Sequence, residues 1–370
     1  TNILCGGPVF RHYKDIFVFQ HCACRQVALN FYWHSRNCSK IFNIMLLCYS
    51  IMNLSGNRKA ALKKLKNLFF SLKSDVKSFR AKFDSVFTNS ILPNNVECSE
   101  RSYAGVNCDL FLPEIYITKR IILYIHGGCF VGGSKQAYRN FAASLAAAAS
   151  ARAVVPEFRL APTHAYPASL EDVQNVFRTI YTEELVANSL EYDNSKNPDD
   201  SKSEIIIMAD GSGASIALGL VLSLSEKLRS SIAKIVLFSP WLDLGADSKK
   251  FTEKKVCDEL YTAESMFRAA EMYTFQNNRN IPFVSPLRAT KEQLRSFPPV
   301  YIQMGENEFL LDDAERMERI LLEAGGKCTL DVWKNMPAMF QLADEYFEES
   351  HLAVEKIGRL FTVQKIKEGL

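Results

Sequence analysis

Short, dominantly apolar runs that stop at a turn and give way to helical periodicity constrain this chain more than any other feature. Ile121–Ile125 runs into His126-Gly127-Gly128, and Ile205–Met208 runs into Ala209-Asp210-Gly211. Ala153–Val155, Ile235–Phe238 and Val300–Met304 have the same character. A strand that is apolar on both sides of its pleat is one covered on both faces, which is the habit of parallel sheets. Helical patterns over Tyr138–Ala149 and Ser169–Tyr181 fall between the runs. That alternation predicts an α/β fold, with a mostly parallel central sheet and helices on both faces. No internal repeat is present.

Composition removes several function classes. In 370 residues, 48% are hydrophobic and 23% charged, enough for a sizeable core. A formal net charge of +3 is too small and too dispersed for a nucleic-acid footprint. No apolar run reaches the length of a membrane span; Ile41–Met52 is the nearest approach. Of ten cysteines, Cys5, Cys22, Cys24, Cys38 and Cys48 crowd the N-terminal segment without zinc-ligand spacing. They read as free thiols, so a cytoplasmic or membrane-associated protein with no metal and no cofactor is expected. No signal peptide is legible, and Met45 or Met52 is an alternative start.

Three regions are expected. Residues 1–50 show no sustained period. Residues 51–99 hold an amphipathic helical cap, in which Leu62, Leu65, Phe69, Leu72, Val76, Phe79, Phe83 and Val86 alternate at spacings of three and four. The other faces of that helix carry Lys and Arg over 58–82, so a peripheral membrane contact through 57–90 is one option for it. Residues 100–370 form the α/β domain, with a surface insertion over 191–203 rich in Asp, Asn, Ser and Lys.

Reactive groups in open α/β sheets gather beyond the carboxyl ends of the strands. The segments there are His126–Ser134, Glu157–Ala168, Ala209–Ala214, Ser239–Leu244, Gly305–Asp313 and Met336–Gln341. In this order and spacing they resemble the hormone-sensitive-lipase-like branch of the α/β-hydrolases, the fold-3 group of carboxylesterases and arylacetamide deacetylases, over roughly residues 100–365. The resemblance implies an α/β-hydrolase fold and a carboxylic-ester site. It implies oxyanion donors from Gly127 and Gly128, with Cys129 in the place of a third glycine, and from the Ser212 N–H. It makes Glu308 the acid of the relay and Asp312 a second carboxylate. The position of the nucleophilic serine is Gly211, and the position of the histidine is Ala338.

No other arrangement restores the relay. Ser212 is one step along the turn and is expected to point away. Of the histidines, His126 and His164 match structural positions, and His351 falls on a terminal helix. Cys129 without an imidazole is expected to stay a thiol. Whether the chain is an enzyme is left open between three readings: an inactive family member that binds a small hydrophobic or ester-like ligand, a weak ester hydrolase with an unconventional nucleophile, and a membrane-surface or partner-binding scaffold. A homodimer is a further expectation that the resemblance suggests.

Overall fold

The structure is a computed structural model, and it describes residues 56–88, 91–190, 203–245 and 259–362. The expectations for residues 1–50, for His12, His21 and His34, and for most of the 191–203 insertion lie outside the described residues. The chain divides into two units, Thr1–Ala60 and Ala61–Leu370. In the first, residues 56–60 are described and helical.

The frame of the second unit is an eight-stranded sheet: β1 (Val96–Tyr103), β2 (Val106–Pro113), β3 (Arg120–Ile125), β4 (Arg152–Pro156), β5 (Glu204–Asp210), β6 (Ile232–Phe238), β7 (Val300–Gly305) and β8 (Cys328–Trp333). The order across the sheet is β1-β2-β4-β3-β5-β6-β7-β8. From β4 onward every pairing is parallel, whereas β1 and β2 form an antiparallel hairpin and β2 joins β4 antiparallel. Every residue of β3 and β7 is buried, as their apolar runs require of strands covered on both faces. β4 and β5 flank β3 on opposite sides, so the chain changes direction there and opens a crevice at the strands' carboxyl ends.

The principal helices are α1 (Val76–Ser85), α2 (Arg139–Ala149), α3 (Ala168–Leu190), α4 (Gly211–Ser223), α5 (Ala263–Tyr273), α6 (Leu311–Glu323) and α7 (Glu348–Thr362). α4 follows the central strand directly, and its residues from Ser212 to Leu222 are all buried, which fits its almost wholly apolar and small composition. A buried charge fixes the approach to α2. Asp109 on β2 is fully buried and receives Lys135 Nζ and Arg139 Nε, each at 2.6 Å. Two cations around one carboxylate supply the partners that a buried charge requires.

The cap differs from its sequence pattern. The single helix expected from the apolar stripe is interrupted: residues up to Leu65 are helical, Lys66–Leu68 is a 3₁₀ turn, and helix resumes only at Val76. Asp75 explains the restart, because its carboxylate caps the new helix by accepting the Ser78 N–H at 2.9 Å. Leu72, on the expected apolar face, is 58% exposed in the intervening turn. Phe79 and Phe83 of α1 are buried, and each full burial contributes roughly 2–3 kcal/mol. β1 begins at Val96, ahead of the boundary expected at 99/100, and residues 61–95 belong to the same compact unit as the sheet.

Candidate active site

The turn after β3 approaches the turn after β5 so closely that side chains are excluded. A Cβ on Gly127 would lie 2.3 Å from Asp210 Oδ2, and one on Gly128, at φ +113°, would lie 2.2 Å from the Gly132 carbonyl oxygen. Asp210 holds the two turns together. Its Oδ1 accepts the Gly127 N–H at 2.9 Å and the Tyr124 hydroxyl at 2.7 Å, and its Oδ2 accepts the Tyr138 hydroxyl at 2.8 Å. Burial still dominates, pushing the Asp210 carboxyl up to about 6 against the pull of those three donors. The Gly127 N–H is therefore committed to Asp210, and the expectation that Gly127 donates into the site is not met. The N–H groups of Gly128, Cys129 and Ser212 donate no hydrogen bond to any described residue.

Gly211 sits on the sharp strand-to-helix turn with φ +47°, a conformation that is strained for most residues and easy for glycine. Unlike Gly127, it has room. Outside its chain neighbours and its own helix, the nearest atom to a Cβ built there is Gly127 Cα, at 4.0 Å. Ser212 is among the residues that line the same cavity, and its Oγ accepts the Phe130 N–H at 3.0 Å. That bond fixes the glycine loop to the head of α4. Arg80 of α1 holds the loop from the other side through the Val131 and Ala161 carbonyls, at 2.7 and 3.0 Å.

Ala338 is 1% exposed and lines the cavity as well. Glu308 is buried too, engaged by the Ser239 hydroxyl at 2.8 Å and by the Gly305 N–H. Ser239 in turn accepts the Met339 N–H at 2.9 Å. One hydroxyl thus joins the acid to the backbone beside Ala338. Sequence reasoning noted the Ser239-Pro240-Trp241 segment but gave Ser239 no role. Its signal was the position just past a strand end, where Ser239 adopts φ +44°.

Of the remaining candidates, Cys129 also lines the cavity, and the described histidines and Asp312 do not. His126 is buried and stacked on Phe158 at 4.2 Å, with Nδ1 2.8 Å from the Gly127 carbonyl oxygen. Burial pushes its imidazole down to about 4. His164 and His351 are exposed. Cys129, at φ +56°, accepts the Phe70 N–H at 3.5 Å, and desolvation pushes its thiol up to about 11. Asp312 is exposed; its neighbour Asp313 is buried and accepts the Leu242 N–H at 3.4 Å. Among the described residues no cluster of three His, Cys, Asp or Glu side chains is placed to hold a metal, and no helix is long and apolar enough to cross a membrane.

The resulting cavity measures about 40 Å³, room for roughly three water molecules. Leu68 and Phe69 wall it from the cap, and Trp241, Tyr261, Met266 and Leu310 from the body. Phe69 stacks on Tyr261 with ring centres 4.5 Å apart, joining cap to body.

Known proteins share this fold. A family model described as "alpha/beta hydrolase fold" matches residues 122–342. An acetyl-hydrolase of Streptomyces hygroscopicus is 27% identical over 239 residues, 65% of this chain and 74% of that protein. An esterase of Acinetobacter venetianus is 28% identical over 260 residues, 70% of this chain and 80% of that protein. Among solved structures, an esterase of the bacterial hormone-sensitive lipase family superposes with a TM-score of 0.70 at 24% identity, covering 83% of this chain and 97% of its own.

Proposed function

Because this chain belongs to the α/β-hydrolase fold family, in its hormone-sensitive-lipase-like group, we propose that it holds a small hydrophobic or ester-like ligand without cleaving it through a Ser–His–acid relay. The observation that carries this reading is Gly211. It occupies the turn from which a nucleophile would reach the cavity, with open space beyond it and no oxygen to attack. Ala338 lines the same cavity and offers no nitrogen to carry a proton. The unengaged amides of Gly128, Cys129 and Ser212 serve as an oxyanion hole. A hydrolase stripped of its nucleophile keeps only about 10³–10⁴-fold over water from such donors and from binding.

The weak-hydrolase alternative has one observation in its favour. Ser239 lines the cavity with its hydroxyl on the Glu308 carboxylate. Against it, the Ser239 oxygen already accepts the Met339 N–H, and the Cys129 thiol at about 11 is almost wholly protonated at neutral pH.

The test pairs turnover of p-nitrophenyl acetate and butyrate with thermal shift in the methyl esters of the same acids. The reading expects turnover at the buffer blank and a raised Tm; ligand at about 100 times Kd stabilises by roughly 2.7 kcal/mol. Turnover that disappears in Ser239→Ala or Cys129→Ala would establish the hydrolase instead. No response to ester, together with sedimentation on anionic vesicles that weakens in Lys73→Glu with Lys77→Glu, would establish the membrane-surface scaffold.

A further inference from the structure

Three consecutive residues of the glycine loop hold the backbone in the left-handed region: Gly128 at φ +113°, Cys129 at +56° and Phe130 at +63°. For the two with side chains this conformation costs roughly 1–2 kcal/mol each. It persists only where the surroundings over-determine it. Within the loop, the Val131 and Gly132 N–H groups bond the Gly128 carbonyl at 3.1 and 2.8 Å. Toward the body, the Phe130 carbonyl accepts the Ala161 N–H at 3.1 Å, and the Phe130 ring stacks on Tyr273 at 4.0 Å. Toward the cap, the Phe70 N–H meets the Cys129 sulfur, a weak acceptor, at 3.5 Å. Among the described residues a single hydrogen bond joins residues 128–130 to α4, from the Phe130 N–H to Ser212 Oγ at 3.0 Å.

That bond crosses the line along which the proposed oxyanion hole is divided. Two of its amides, Gly128 and Cys129, belong to the loop, and the third, Ser212, belongs to α4. Their relative position must be set across the gap between the two segments. Gly211 sets none of it through a side chain, and space is open beside it. Asp210 fixes the Gly127 N–H, one residue ahead of the left-handed run. Ser212 holds the far end of the run with its hydroxyl oxygen and carries one of the three amides itself. Phe130 is 3% exposed, so removal of the acceptor leaves a buried N–H unmade, at about 1–3 kcal/mol. Rotation of Cys129 and Phe130 out of the left-handed region would relieve both costs together, and it would carry the Cys129 N–H with it.

We propose that Ser212 is the positioning residue of this site: its Oγ, through the Phe130 N–H, sets the Gly128 and Cys129 amides against its own. This rests on the ligand-binding reading and adds the part that keeps the donors in register. The experiment is residue-resolved amide hydrogen exchange, with calorimetric titration of methyl acetate and methyl butyrate, on the full chain and its Ser212→Ala, Ser212→Cys and Ser212→Thr variants. Ser212→Ala is expected to speed exchange at Val131 and Gly132, whose own bonds it does not touch, by about tenfold. It is expected to weaken both esters by about tenfold as well. Ser212→Thr keeps the oxygen and should restore both readouts, and Ser212→Cys, with a weaker acceptor, should fall between. Ser350→Ala removes a buried hydroxyl from the Phe340 carbonyl, outside the cavity lining, and should lower Tm without either change. Faster exchange confined to Phe130, or unchanged affinity in Ser212→Ala when the parent binds ester, would make the bond merely structural and overturn the proposal. A parent that binds neither ester would overturn the ligand-binding reading, and exchange at Val131 and Gly132 would then decide the positioning role by itself.

Discussion

The glycine loop after β3 and the turn after β8 border the same cavity, and they are built to different standards. In the loop, geometry and chemistry coincide. Gly127 and Gly128 admit no Cβ, Asp210 and Ser212 tie the backbone to α4, and the amides left over are those of the proposed oxyanion hole. In the turn after β8, geometry survives without chemistry. Ala338 fills its place, and Glu308 is taken up by Ser239 and the Gly305 N–H. The difference separates two demands that an intact hydrolase meets with the same residues. Groups that hold backbone in place are needed for the fold, whereas a nucleophile and a proton carrier are needed only for turnover.

The largest effect should come from restoring both groups that the cavity lacks, one in the turn after β5 and one in the turn after β8. Gly211→Ser combined with Ala338→His is expected to raise p-nitrophenyl acetate turnover on the order of 10³-fold over the unaltered chain, since residues of a triad act as a unit. Either substitution alone should give little. A folded double variant with no gain would show that the two positions do not share one reaction geometry.

Next comes the loop. Gly128→Ala should destabilise by about 3 kcal/mol in urea unfolding, because its Cβ meets the Gly132 carbonyl at a positive φ. A loss of only a few tenths would mean that the glycine loop is looser than described.

Titration offers an effect of similar size. Folding lowers the His126 imidazole from 6.5 to about 4, so its contribution is present above the unfolded value and is lost as pH falls from 6.5 toward 4. Folding raises the Asp210 carboxyl from 3.8 to about 6, so its contribution is present below 3.8 and is lost as pH rises toward 6. The two oppose each other over nearly one window. His126→Gln removes the first alone, so its stability relative to the parent should improve by up to about 3 kcal/mol between pH 6.5 and pH 4. A pH-independent difference would mean that His126 is not desolvated.

Smaller effects probe the proton-relay side. Ser239→Ala should cost about 2 kcal/mol, since it leaves the Met339 N–H without its acceptor and removes a donor from Glu308. Gly211→Ala should cost only about 1 kcal/mol, the penalty for an alanine at a left-handed φ with nothing to clash against. Equal losses at Gly128 and Gly211 would erase the distinction between the two kinds of glycine.

The central strands were legible because burial on both faces writes itself as an unbroken apolar run, as in Ile121–Ile125 and Ile205–Met208. β1 and β8 were not. Their exposed polar residues, Glu100, Arg101 and Thr329 among them, dilute the signal in strands that have one neighbour each. The interruption of the cap helix was hidden because apolar spacing continues through a turn that only the Asp75 cap reveals. Within the site, Gly211, Ala338 and the glycine loop were readable from local motifs. The diversion of Gly127 to Asp210 and the engagement of Glu308 by Ser239 were not, since they join residues 83 and 69 positions apart.

The central claim, that this hydrolase cavity contains no activated nucleophile, is met most directly by intact-mass analysis after incubation with an alkyl fluorophosphonate. The account predicts an unchanged mass for the unaltered chain and a single adduct, at position 211, for Gly211→Ser with Ala338→His. A stoichiometric adduct on the unaltered chain, mapped to Ser212, Ser239 or Cys129, would contradict it.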